Sequence, residues 1–206
     1  MPTFRLLVAL LFFLPQPVLR GAEPVLDADQ VTVTELPEQD QYYIHGVFEV
    51  DADAEQVWKV LSDYAGLQGV ISSLRSSKVV GHDADGMLVE QVMDGQFLFF
   101  HKGVRLLLRV KEQAPWRIDF TQAEDKPFRH YQGAWQIEPV ANGCRVDYTL
   151  TVSRGDMAPL FLERRLFREN SLDLMRELKA AVQRRASQAP LAVATRPEAA
   201  PSVSHQ

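Results

Sequence analysis

Through the middle of the chain, apolar side chains recur at every second position, the period of strands with one face buried. In Tyr43-Ile44-His45-Gly46-Val47-Phe48-Glu49-Val50 the alternating set is Ile44, Phe48 and Val50, and the strand ends at Asp51. Asp53 then stands where an N-cap belongs, with Gln56 three residues on as in a capping box, so a helix is expected from about Ala54. Val57, Trp58, Val60, Leu61 and Tyr64 give it a bulky apolar stripe and leave Glu55, Lys59 and Asp63 outside. Gly66 and Gly69 break the helix, and a second strand follows from Leu74 to Val80.

The remaining pattern is a succession of strands joined by short turns, which makes an antiparallel meander. Asp83-Ala84-Asp85-Gly86 and Asp94-Gly95 bracket a strand from Met87 to Met93. Phe97 to Glu112 reads as one long strand with a bend or bulge at Gly103. Beyond it Val104, Leu106, Leu108 and Val110 take one face, and Arg105, Arg109 and Lys111 the other. Ala114-Pro115 turns the chain into Trp116 to Thr121, with Trp116, Ile118 and Phe120 on a shared face. Phe128 to Glu138 places Arg129, Tyr131, Gly133, Trp135 and Ile137 together, and Asn142-Gly143 signals a hairpin before Arg145 to Val152. The last element is a helix opened by Pro159, with Asp156 as a cap, running to about Ala186. It carries Leu162, Leu166, Asn170, Leu174 and Leu178 at four-residue spacing, flanked by Phe161, Phe167 and Met175. Glu163, Arg164, Arg165, Arg168, Glu169, Arg176 and Lys179 form its solvated face.

The two ends change the picture of where this domain works. Arg5 precedes the apolar run Leu6 to Leu14, which Pro15 and Pro17 end, the layout of a secretory signal over residues 1–22. The run is shorter than the about 20 residues a spanning helix needs. Cleavage after Gly21 or Ala22 is expected although Arg20 stands where a small residue is preferred; an uncleaved anchor is the alternative. The expected location is therefore periplasmic or secreted. Residues 23–40 read as a polar linker with an edge strand around Gln30 to Thr34, residues 41–187 as the domain, and 188–206, rich in Ala, Pro and Ser, as a disordered tail.

Composition mostly excludes. The 206 residues suffice for one domain with a core, and a formal charge of −5 with pI near 5.6 argues against nucleic acid as a partner. Cys144 is the only cysteine, so no intramolecular disulfide forms, and it reads as a small half-buried residue at a turn. None of the five histidines, His45, His82, His101, His130 and His205, forms a metal-spaced pair. No metal and no cofactor is expected.

The element order β-α-β-β-β-β-β-β-α, the segment Val50 to Tyr64, Gly133-Ala134-Trp135 and Pro159-Leu160-Phe161-Leu162 together resemble the START-like superfamily of polyketide cyclases and lipid-transfer proteins. The likeness spans roughly Tyr43 to Ala186 and is greatest to the bacterial branch related to coenzyme-Q-binding proteins. It implies an α+β helix-grip fold, in which a curled antiparallel sheet of about six to seven strands wraps the C-terminal helix and leaves an apolar cavity. Relatives carry prolines in the loop after the first helix, near the cavity mouth; here that loop is Leu67-Gln68-Gly69-Val70-Ile71-Ser72.

Within that frame the expected ligand-binding residues are Phe97, Phe99, Trp116, Phe120, Tyr148, Phe167 and Leu174 as apolar wall, with Trp135, Tyr131 and Arg129 on a common face. A buried Arg129 would need an acidic group or a polar ligand head. Asn170, which interrupts the apolar stripe of the last helix, would bond a ligand carbonyl or a neighbouring strand. No catalytic constellation is recognisable: alternation turns His130 outward and leaves the direction of His101 open. The expected function is binding or shuttling of a hydrophobic small molecule such as a quinone, lipid or polyketide-like compound, with transient membrane contact and no nucleic acid. The alternatives are a cyclase/dehydratase-like enzyme using Tyr131, Arg129 or His101 on a poly-carbonyl substrate, and a protein-interaction module. The sequence leaves the oligomeric state open.

Overall fold

The computed structural model describes residues 29–94, 103–153 and 160–188. The expected signal peptide and tail, Phe97, Phe99, His101, Asp156 and Pro159 lie outside the described residues.

The chain opens with β1 (Asp29–Leu36) and β2 (Gln41–Val50), joined across a single-turn helix at Pro37–Gln39. The segment expected as a linker with an edge strand is thus a full strand of the sheet, paired with β2 from Asp29↔Phe48 to Leu36↔Gln41. Val31 and Val33 face the core while Thr32 and Thr34 face solvent, which is why this polar stretch still docks.

Helix α1 (Ala54–Leu61) starts at the expected capping box: the Gln56 backbone N–H donates to Asp53 Oδ1 at 2.8 Å, and the Asp53 N–H donates to Gln56 Oε1 at 3.0 Å. Val57, Val60 and Leu61 are its buried face. A single-turn helix at Gly66–Gly69 leads into β3 (Leu74–Asp83), followed by β4 (Gly86–Met93), β5 (Val104–Gln113), β6 (Arg117–Gln122), β7 (Tyr131–Val140) and β8 (Gly143–Ser153). Helix α2 (Leu160–Gln188) ends the described chain.

All strands pair antiparallel in the order β1-β2-β8-β7-β6-β5-β4-β3. This is an α+β helix-grip fold with eight strands among the described residues, β1 accounting for the excess over the expected six or seven. β2 is inserted beside β8, so the earliest core strand is locked to the latest, with Ile44 opposite Leu150 and Phe48 opposite Val146. At the β7–β8 turn Gly143 has φ +118°, and a Cβ there would run into the Val50 carbonyl. Cys144, one residue on, is fully buried rather than half-buried, and burial raises its thiol pKa.

Helix α2 rests on β1, β2 and α1. The approach to β2 is close because residue 46 is glycine: a Cβ there would sit 3.0 Å from Met175 Sδ. The helix buries Phe167, Ser171, Met175, Leu178 and Val182, a spine displaced one position from the expected 166-170-174 row, which is only half-buried. The same rotation brings Glu163, expected on the solvated face, to 5% exposure. Because α2 lies over the β1–β2 side, the inner face of the other strands is left partly unfilled.

Candidate functional site

That unfilled space is a cavity of about 140 Å³ bounded by the inner face of β3 to β8, α1, the loop after it, and α2. Each strand contributes through its period-two register: Val89 and Met93 from β4, Leu108 and Val110 from β5, Ile118 and Phe120 from β6, Tyr131 and Trp135 from β7, Tyr148 and Leu150 from β8. Helix α2 closes the opposite side with Phe167, Asn170, Ser171 and Leu174, and Tyr64, Ile71 and Ser73 come from the segment between α1 and β3. An apolar void of about 150 Å³ admits a benzene ring, whereas sites for drug-sized ligands run to roughly 300–1,000 Å³. In this state the cavity therefore holds one ring-sized group, and a longer ligand needs it to widen.

One wall is aromatic throughout. Phe128 stacks on Tyr131 with ring centroids 5.4 Å apart, Tyr131 meets Phe120 at 6.0 Å, Phe120 stacks on Tyr148 at 6.3 Å, and Tyr148 meets Trp135 at 4.4 Å. Each such pair adds about 0.5–1.5 kcal/mol beyond its area burial, so the rings hold one another in place along the wall. Gly133 makes room for it, since a Cβ there would meet the Thr149 carbonyl oxygen and lie 2.6 Å from Phe120 Cζ.

The polar groups on the lining are neutral: Tyr64, Ser73, Gln91, Tyr131, Tyr148, Asn170 and Ser171, with no carboxylate, imidazole, ammonium or guanidinium among the described lining residues. The Tyr64 hydroxyl is spent on Glu112 Oε1 at 2.6 Å, which ties the loop after α1 to the end of β5. Burial first, then Glu112, pushes its pKa far above the ordinary phenol value. Gln91 Nε2 donates to Ser77 Oγ at 3.4 Å. Tyr131 and Tyr148 face the cavity from neighbouring strands, each against the Phe120 ring. Burial pushes the Tyr131 phenol up to about 12, and burial together with the neighbouring Tyr131 carries Tyr148 well above 10.0.

Of the residues expected at the site, Phe120, Tyr131, Trp135, Tyr148, Phe167, Asn170 and Leu174 meet around this cavity. Trp116 does not. It falls in the turn between β5 and β6, is 47% exposed, and borders a shallow surface depression with Asp53 and Pro139. Arg129 does not either, because β7 begins only at Tyr131; the arginine precedes the strand, escapes its alternation, and reaches Asp40 Oδ2 at 3.5 Å on the surface. His130 is absent from the lining as well. Phe128, Leu150 and Gln91 were missed. Leu150 shares parity with Tyr148, and Gln91 is the one polar residue between Val89 and Met93 on the inner parity of β4, so both signals were present in the sequence.

The outer sheet face is polar and many of its charges are paired. Arg109 pairs with Asp83, Arg105 with Glu90 and Glu124, Arg117 with Asp119, and Arg145 with Asp147, which also bonds His45 at 3.0 Å. Such solvent-screened pairs contribute little to stability. Among the described residues no group of His, Cys, Asp and Glu is arranged to hold a metal, and no helix is long and apolar enough to cross a membrane.

A family model described as polyketide cyclase / dehydrase and lipid transport matches residues 50–178. The chain belongs to that family. Its fold is START-like: a START superfamily protein from Mycobacterium smegmatis superposes with TM-score 0.59 at 16% identity, covering 69% of this chain and 97% of that one. A STAR-related lipid transfer protein from Xanthomonas axonopodis gives TM-score 0.62 at 15% identity over 76% and 94% of the two chains. The Zhui aromatase/cyclase from Streptomyces sp. R1128 gives 0.59 at 17% identity over 70% and 95%. At these identities the likeness is one of fold. The sequence matches no curated protein.

Proposed function

We propose that this member of the polyketide cyclase / dehydrase and lipid transport family binds a hydrophobic small molecule between the sheet and α2 and carries it unchanged. The observation that carries this reading is the lining itself, apolar and aromatic with only neutral polar groups. A general acid or base works best with a pKa near the operating pH. Tyr131 at about 12 and Tyr148 above 10.0 are far from it, and their proton inventory at neutral pH is fixed. Quinones, lipids and polyketide-like compounds suit the apolar and aromatic lining by their chemistry, with one ring-sized part inside the cavity and the rest requiring it to widen. An N-terminal signal at Arg5 and Leu6 to Leu14 would deliver the domain to the periplasm or the medium, where a ligand could be exchanged with a membrane by transient contact.

A second reading, a cyclase-like enzyme, is favoured by one feature: two tyrosines, Tyr131 and Tyr148, line the cavity, and their hydroxyls could polarise a substrate carbonyl. The experiment that separates the two is native mass spectrometry of the protein purified from its own cells, with organic extraction of whatever it holds. A stoichiometric, chemically unaltered lipid or quinone supports carriage. Protein that stays empty and turns over a poly-carbonyl compound supports the enzyme.

A further inference from the structure

A glutamine on the inner face of an apolar sheet needs a reason. The residues that β4 gives to the cavity are Val89, Gln91 and Met93, and Gln91 stands directly opposite Ser77 on β3 and Leu106 on β5. Leu106 is fully buried and Ser77 is 3% exposed, so a filled apolar position and a buried hydroxyl flank the glutamine across the sheet. Gln91 Nε2 donates to Ser77 Oγ at 3.4 Å, and among the described residues neither side chain makes any other hydrogen bond. A carboxamide offers two N–H donors and an oxygen with two lone pairs. The bond to Ser77 uses one donor. The oxygen of this half-buried side chain, which borders the cavity, is left without a protein donor. A wholly apolar ligand filling the cavity would shut that acceptor away unsatisfied, at a cost, whereas a ligand hydroxyl would bond it.

From this geometry we propose that Gln91 is the cavity's polar recognition point, its carboxamide oxygen accepting a hydrogen bond from the hydroxyl of an uncharged, ring-bearing ligand. The ring takes the space bounded by Phe120, Trp135 and Tyr148. The inference rests on the carrier reading above and narrows it to hydroxyl-bearing ligands. An anionic head group, carboxylate or phosphate, is disfavoured because no cation on the described lining would pair with it and its desolvation would go uncompensated. Specificity of this kind arises as much from the penalty on the wrong ligand as from the bond to the right one.

The test uses two probes of nearly one shape, phenol and toluene, titrated calorimetrically at pH 7 into the wild-type protein and into Gln91→Met, which keeps the side-chain length and removes the carboxamide. In the wild type phenol should bind within about threefold of toluene, because its hydroxyl exchanges water for the carboxamide oxygen. In Gln91→Met the hydroxyl loses that acceptor, and phenol should fall about tenfold or more relative to toluene. Toluene affinity should stay within about twofold, since the swap conserves volume. A glutamine that only closes off Ser77 would lower Tm on substitution and leave the phenol-to-toluene ratio unchanged, and that result overturns the proposal. A wild-type protein that takes up toluene but rejects phenol by about tenfold or more overturns it without any variant, and leaves the carrier reading standing. If the wild type binds neither probe, the cavity reading itself falls, and this inference with it.

Discussion

Replacing Leu108 by Phe is expected to stabilise the protein and at the same time reduce its capacity for small apolar ligands. Leu108 is 6% exposed on β5 and faces the cavity. At about 24 cal/mol per Å³ of void, a cavity of 140 Å³ withholds about 3 kcal/mol of stability. A benzyl group in place of the isobutyl group fills roughly a sixth of that space and so returns about 0.6 kcal/mol. In a filled core the same kind of enlargement costs about 1–3 kcal/mol instead, so the sign of the change is diagnostic. Val182, fully buried on α2 and away from the cavity, is the filled-core control. Thermal unfolding should show Leu108→Phe melting about 1–2 °C above wild type and Val182→Phe several degrees below. Calorimetric titration with cumene should show weakened uptake by Leu108→Phe only. Destabilisation of Leu108→Phe to the level of Val182→Phe, with cumene uptake undiminished, would refute the existence of usable space beside residue 108.

Three further outcomes test other parts of the account. Asp53→Ala removes half of the capping box of α1 and should cost about 1 kcal/mol, read as a fall of about 3 °C in Tm, with Asp53→Asn recovering most of it. Gly133→Ala drives a methyl group against the Thr149 carbonyl and Phe120; it should destabilise by about 1–3 kcal/mol and weaken cumene binding, since Phe120 belongs to the cavity wall. Asp147 is partly buried, which alone would raise its pKa, but hydrogen bonds from Arg145 and His45 outweigh burial and hold it below the ordinary carboxylate range. Its folded pKa lies below the unfolded value of about 3.9, so its contribution is complete above about pH 4 and is lost as the pH falls through the folded pKa. Urea unfolding should therefore show a shallower acid loss of stability in Asp147→Asn than in wild type, and parallel pH profiles would contradict the assignment.

Where alternation was unbroken, the sequence was a good guide to the inner face: Val104, Leu106, Leu108 and Val110 are all buried, and the capping box marks the start of α1. The errors share a physical cause, extension of a period past the end of its element. Arg129 and Trp116 have the parity of inward residues but sit in the turns before β7 and β6, where the backbone no longer imposes period two. In α2 the row of residues at four-residue spacing was visible, but its orientation is set by where the helix docks. The contact of Gly46 with Met175 fixes that, and local sequence cannot rank it against Leu166 or Asn170. Strand β1 was legible only in part, as an edge strand around Gln30 to Thr34, because its outward residues are polar and only Val31 and Val33 mark its inner face. The cavity was legible only through family resemblance, since a void is the absence of side-chain volume and leaves no pattern in the chain.

The most direct test of the central claim is a methyl NMR titration of the leucine-, isoleucine- and valine-labelled protein with cumene. Saturable shifts are expected only at the cavity-facing methyls of Leu61, Ile71, Leu74, Val89, Leu108, Val110, Ile118, Leu150 and Leu174, with the exposed Val79 and Val80 on β3 unmoved. Shifts centred on Val79 and Val80, or no saturable shift at all, would contradict it.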